Sequence, residues 1–136
     1  MAYIYTRLFK IENIPSEQSF FLFGPRTTGK STLIRSYLNS CLFPKLSYDL
    51  LEPSCYLRLH SMPEALIQDV DAAAAKEFQG TLQVHIDEVQ KVPELLDAVH
   101  LLIEKYKGRI RFIMAASSAR KLKRGGANLL GGRAWE

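Results

Sequence analysis

Eight consecutive residues, Gly24-Pro25-Arg26-Thr27-Thr28-Gly29-Lys30-Ser31, carry the spacing GxxxxGK[ST], which is what a backbone needs to hold a phosphate chain. Gly24 and Gly29 permit conformations that a Cβ would hinder, so successive amide hydrogens can turn inward onto an anion. A helix opening near Lys30 adds its unpaired amides and the positive end of its dipole at the same point. Lys30 brings a compact positive charge to the β- and γ-phosphates, and the Ser31 hydroxyl is suited to coordinating Mg2+. Thr32, one position on, is the weaker metal ligand of the two. Pro25, Arg26, Thr27 and Thr28 complete the nucleotide-binding loop, Arg26 and Thr28 through their backbone only. The plain alternative is a glycine turn before a capped helix with a surface lysine, and the presence of all four fixed positions of the pattern weighs against it.

A second cluster sits in LQVHIDEVQ, residues 82–90, where an apolar strand runs into adjacent carboxylates. Magnesium takes hard oxygen ligands and keeps several waters, so Asp87 acting directly or through water is adequate to hold it. Glu88 projects differently from its neighbour and is placed to orient and deprotonate a water attacking the γ-phosphate. An acidic loop pair without a role is the competing reading, and the buried strand before it and the phosphate loop upstream count against that. His85, two positions before Asp87, is expected to pack or to make a structural hydrogen bond. His60 and His100 fall on helices, and none of the three histidines forms a ligand cluster with Cys41 or Cys55.

These groups need elements to position them. Ser19 to Phe23 is a short aromatic run stopped by Gly24-Pro25, and it reads as a buried strand. Leu33, Ile34, Tyr37 and Leu38 recur at helical spacing between Lys30 and Asn39. A second strand is expected at Leu46 to Asp49, then short helices around 54–60 and 63–69, and a third helical stretch over 72–78 ending near Gly80. Leu82 to Ile86 is the next strand. Residues 93–107 give the clearest helix, with Val92, Leu95, Leu96, Val99, Leu102, Ile103 and Tyr106 on one stripe, Pro93 in the first turn and Gly108 at the end. Arg111 to Ala115 is the last strand, followed by Ser117-Ser118. Strands alternating with helices predict an α/β fold: a mainly parallel sheet of four strands covered on both faces, with functional groups at the C-terminal ends of the strands.

The chain has 136 residues, 47% hydrophobic and 24% charged, a balance that excludes a disordered tail, a collagen-like rod and a membrane bundle. One domain over residues 1–136 is the natural division. No apolar run reaches the ~18 residues that span a bilayer, and the start, MAYIYTRLFKIE, lacks a signal peptide's apolar stretch, so no membrane partner and a cytoplasmic location are expected. Cys41 and Cys55 read as buried or half-buried thiols in a reducing compartment. Residues 1–106 carry 10 basic and 13 acidic side chains, residues 107–136 carry 8 and 1. That C-terminal excess (Lys107, Arg109, Arg111, Arg120, Lys121, Lys123, Arg124 and Arg133) fits attraction of nucleic acid or nucleotide phosphate, or equally a solvated face; no aromatic interleaves until Trp135, so no base-stacking platform is indicated.

Three segments, FFLFGPRTTGKST (20–32), HIDEVQKVPELLDAVH (85–100) and RFIMAASSARKLKRGGANLLGGRA (111–134), together resemble the AAA-type ATP-binding proteins of bacteria and archaea that join an N-terminal P-loop domain to a C-terminal domain of unknown function. The resemblance implies a three-layer α/β/α P-loop NTPase fold and Mg2+-dependent hydrolysis of ATP, with Lys30 and Ser31 at the phosphates and metal, Asp87 on Mg2+ and Glu88 as the catalytic carboxylate. It further implies Ser117 in the polar sensor position and Arg133 as a sensor or finger on the γ-phosphate. Family members usually have Thr-Gly-Ser where this chain has Ala115-Ala116-Ser117. The family pattern also continues past the GRA segment into a fifth strand and the second domain, whereas this sequence stops at Trp135-Glu136. The resemblance therefore predicts an incomplete domain with an open edge beside the phosphate-loop strand, prone to self-association. A nucleotide binder without turnover, or an inactive fragment, is the main alternative. A small-molecule kinase is another, although adjacent Asp87-Glu88 is more typical of water activation, and no NKxD motif supports a GTPase.

Overall fold

The computed structural model describes residues 2–5, 11, 14–24 and 29–117. The apolar runs form strands β1 (Ala2–Tyr5), β2 (Phe20–Phe23), β3 (Lys45–Asp49), β4 (Leu82–Asp87) and β5 (Ile110–Ala116), and helices α1 (Lys30–Ser40), α2 (Pro53–Ser61), α3 (Glu64–Ala74) and α4 (Leu95–Lys105) alternate with them. All pairings are parallel, in the order β1-β2-β5-β4-β3. The predicted α/β architecture with a parallel sheet is therefore the observed one.

The four strands expected between residues 19 and 116 are all present, and a fifth joins them. The short, β-prone segment Ala2–Tyr5 pairs one residue per rung with β2, from Ala2 opposite Phe20 to Tyr5 opposite Phe23. The expectation of an open edge on the phosphate-loop strand is corrected: the N-terminal segment satisfies those backbone groups, and β2 is buried at every position.

Burial follows the period of two. On β4 and β5, Val84, Ile86, Phe112 and Met114 face one side, where they join Leu59 of α2, Leu66 and Val70 of α3, and Leu95, Val99 and Leu102 of α4 in the larger core. On the other side, Phe20, Leu22, Ile113 and Ala115 pack against Ile34 and Leu38 of α1 in a smaller core. The helical stretches anticipated at 63–69 and 72–78 are one helix ending at Ala74, because Ala65, Leu66, Val70 and Ala74 lie on a single buried face with no breaker between them. Glu52 caps α2, accepting the amides of Ser54 and Cys55 ahead of Pro53 in the first turn. Among the described residues no helix is long and apolar enough to cross a membrane, and Cys41 and Cys55 are both free and partly buried.

Candidate functional site

Because every strand runs the same way, β2, β4 and β5 deliver their C-terminal ends to one rim of the sheet. Gly24 follows β2 there, its amide bonded to the Ala116 carbonyl at 3.2 Å. Ser117 follows β5, and Asp87 and Glu88 close β4. Gly29 stands before α1 with φ 79° and ψ 16°. Among the described residues a Cβ at Gly29 would meet nothing within 4 Å, and the left-handed backbone is what asks for glycine there.

The chain brings two polar pairs together at this rim. Lys30 Nζ donates to Glu88 Oε2 at 3.1 Å, with both side chains 1% exposed. Ser31 Oγ donates to Asp87 Oδ2 at 2.8 Å. Glu88 Oε1 accepts two further hydrogen bonds, from Ser117 Oγ and from Gln90 Nε2, each at 2.6 Å. Burial would raise the Glu88 carboxyl, but the hydrogen bonds from Ser117, Gln90 and Lys30 outweigh it and hold the group below its ordinary value. Glu88 is thus an anion kept dry and fully engaged.

Its backbone is also special. Glu88 has φ 56° and ψ 48°, the only positive φ outside glycine among the described residues. A left-handed non-glycine residue costs roughly 1–2 kcal/mol, and such strain persists where surrounding contacts over-determine it. Here the turn at Glu88 leads into the 3-10 segment Val89–Lys91. That turn brings Gln90 back onto the carboxylate it follows by two residues.

The metal-ligand candidates have the right chemistry for a hard cation. Asp87 Oδ1 is buried and without a partner among the described residues, while Oδ2 holds the Ser31 hydroxyl. Among the described residues no group of three or more His, Cys, Asp and Glu side chains is arranged to hold a metal; the donors that Ser31 and Asp87 offer are oxygens, the kind a hard cation takes.

Beside Asp87 the sheet opens into a cleft of about 350 Å³, walled by Ser31 and Arg35 of α1, Ser47 and Asp49 of β3, and His85 and Asp87 of β4. His85 bonds through Nδ1 to Ser47 Oγ at 3.0 Å. Burial lowers its pKa against the opposing pull of Asp87 and Asp49.

Of the residues singled out in the sequence, Lys30, Ser31, Asp87, Glu88 and Ser117 converge, with Gly24 and Gly29 flanking them. Thr32 is exposed on α1. Pro25, Arg26, Thr27, Thr28 and Arg133 lie outside the described residues, as do Arg120, Lys121, Lys123 and Arg124 of the basic segment. Arg111 is removed from that segment's surface: it is 1% exposed, and its guanidinium lies 4.9 Å from the Phe20 ring centroid and 5.6 Å from that of Tyr37. The structural hydrogen bond expected of His85 is the one to Ser47; Gln90, and Ser47 as that partner, escaped the sequence reading. The signal for such a partner was present, since Gln83, His85 and Asp87 alternate as polar residues along a strand too buried to owe them to solvent.

A parallel sheet with a glycine-flanked helix start and a carboxylate pair at its C-terminal rim defines an α/β nucleotide-binding domain of the P-loop ATPase type. The family model described as an AAA domain matches residues 16–136, and the chain belongs to that family. It is accordingly a nucleotide-binding protein of the ATPase type, with ATP as the family's ligand. No curated protein matches the chain.

Proposed function

We propose that residues 1–136 form one domain that binds ATP with Mg2+ at this rim and hydrolyses it to ADP and phosphate. The observation that carries the reading is the pairing of Lys30 and Ser31, consecutive residues at the head of α1, with Glu88 and Asp87, consecutive residues at the end of β4. One ammonium, one hydroxyl and two carboxylates of different environments are the parts that phosphoryl transfer to water uses.

Ser31 and Asp87 would hold Mg2+, which neutralises charge on the β- and γ-phosphates. Lys30 supplies a second positive charge to the same oxygens. The same ammonium lies 3.1 Å from Glu88 Oε2, so it also bears on the carboxylate. Gln90 and Ser117 hold Glu88 Oε1 and so fix the carboxylate in place. Glu88 then accepts the proton of the attacking water, the oxygen of that water bonds to the γ-phosphorus, and the bond from the γ-phosphorus to the β–γ bridging oxygen breaks to release ADP. Ser117 touches the same carboxylate and positions it. Arg133 is proposed as a cation for the γ-phosphate on the family resemblance.

The test is phosphate release together with calorimetric titration of MgATP. Lys30→Ala is expected to weaken binding and abolish turnover, and Glu88→Gln to retain binding while turnover falls by about 10²–10⁴-fold, the range of a general base. Equal turnover in wild type and Glu88→Gln would remove Glu88 from the reaction. Nucleotide-dependent thermal stabilisation without phosphate release in wild type would reduce the function to binding.

A further inference from the structure

The face of β4 turned toward α1 carries Gln83, His85 and Asp87, whereas the neighbouring strand puts Ile113 beside His85 in register. A packing role alone would be met by another aliphatic residue. His85 is instead 7% exposed, with Nδ1 satisfied by Ser47 and Nε2 buried without a partner among the described residues. Two residues along, on the same face, Asp87 Oδ1 is equally buried and equally unpartnered. A buried polar atom left unpaired costs about 1–3 kcal/mol, and this strand carries two against one cleft. The cleft, about 350 Å³ in volume, has room for several waters at ~30 Å³ each, and a buried water seeks two to four polar partners.

We infer that His85, fixed by Ser47, is a positioning residue for the water shell of the divalent cation: its Nε2 bonds a water that the cation holds beside Asp87. The inference rests on the metal role proposed above for Ser31 and Asp87. Two protein oxygens leave much of an octahedral magnesium shell to phosphate and water, and imidazole is a poor direct ligand for so hard an ion. A ring one shell out reaches the cation only through a water. Ser47 fixes the ring so that Nε2 is held at the cleft, the arrangement by which outer-shell partners orient the inner shell of a metal.

The experiment measures Mn2+ binding in the presence of ADP by the electron paramagnetic resonance of the free and bound ion, alongside ADP binding in EDTA, on the full chain. His85→Phe keeps the ring volume and removes both nitrogens. It is expected to weaken Mn2+ binding in the ADP complex by about 10–100-fold, the effect usual for an outer-shell partner, while metal-free ADP affinity stays unchanged. His85→Gln, which can still bond a water, is expected to recover most of that loss. Ser47→Ala, at an exposed position, is expected to weaken Mn2+ binding by about 3-fold and answers the question if His85→Phe does not fold. His85→Phe or Ser47→Ala binding Mn2+ as wild type does would overturn the inference and leave the metal role of Asp87 standing. Failure of His85→Gln to recover binding would also overturn it, by showing that the ring acts through packing. Wild-type protein that binds ADP yet leaves all Mn2+ free would overturn the metal role and this inference together.

Discussion

The ion pair between Lys30 and Glu88 is deep enough to govern the stability of the fold. Both side chains are 1% exposed and their charged atoms lie 3.1 Å apart. At an effective dielectric near 20 the attraction is roughly 5 kcal/mol, most of it offset by the loss of hydration on both ions. Removing one partner strands the other, and that asymmetry typically costs about 3–5 kcal/mol. Lys30→Met should fall at the low end, about 3 kcal/mol, because Gln90 and Ser117 still donate to Glu88. Glu88→Gln keeps the volume but leaves an ammonium facing an amide, and a similar loss of about 3 kcal/mol is expected. The double variant has no buried charge left unpaired and should lose no more than either single one. A coupling of about 3 kcal/mol follows, far above the ~0.5 kcal/mol within which independent sites add.

The assay is urea unfolding followed by far-ultraviolet circular dichroism, in EDTA and without nucleotide, on wild type, both single variants and the double. Additive losses within that margin would refute the reasoning. They would show that the two side chains are hydrated separately in solution.

Other consequences can be checked on the same material. Arg111 Nη1 donates to Tyr37 Oη at 3.2 Å and to Gln83 Oε1 at 3.4 Å, while Nε and Nη2 are buried with no partner among the described residues. Arg111→Met, which removes two hydrogen bonds to neutral acceptors and two stranded donors together while keeping length, should change stability by less than about 1 kcal/mol in chemical denaturation, against the ~3–5 kcal/mol of breaking a buried ion pair. The Asp69 carboxyl is held below its ordinary value by Arg58, which donates to both oxygens, with burial opposing and Tyr48 assisting. Stability from this group is present above the unfolded carboxyl value and is lost as pH falls through the lower folded value, so Asp69→Asn should flatten the stability profile below about pH 4. Leu66, buried completely between α3 and the sheet, should lose about 2–5 kcal/mol on change to Ala. Gly29→Ala meets no obstructing atom, and its expected loss of about 1–2 kcal/mol comes from the left-handed backbone alone, read as a lowered melting temperature.

What the sequence made legible follows from how local each signal is. The loop at residues 24–31 and the pair at 87–88 declare themselves because their chemistry is written in adjacent residues, and strands β2, β4 and β5 because burial on both faces leaves unbroken apolar or short mixed runs. The edge position beside β2 was not legible. Ala2–Tyr5 is four residues long and only its pairing, contributed by a strand fourteen residues away, distinguishes it from a loop. Gln90 was hidden for a related reason: its place on Glu88 depends on the positive φ at Glu88 and the 3-10 turn after it, and neither is announced by residue type. Arg111 read as one of eight basic residues near the C-terminus, and only the sheet shows that its position on β5 turns it under Phe20 and Tyr37.

The two faces of the sheet divide the labour of the protein in a way that accounts for this uneven legibility. One face is apolar along β4 and β5 and is met by three helices, so its residues report a core and nothing else. The other is covered over β2 and β5 by α1, but along β4 it carries Gln83, His85 and Asp87, and along β3 the alternating Lys45, Ser47 and Asp49. An aliphatic stripe on that side would have paired with α1 and closed the cleft. Packing alone does not account for polar groups retained there, two of whose atoms have no partner among the described residues. If hydrated cation and nucleotide complete those bonds, the nucleotide-bound domain should gain more thermal stability with metal than without, a difference that His85→Phe would narrow.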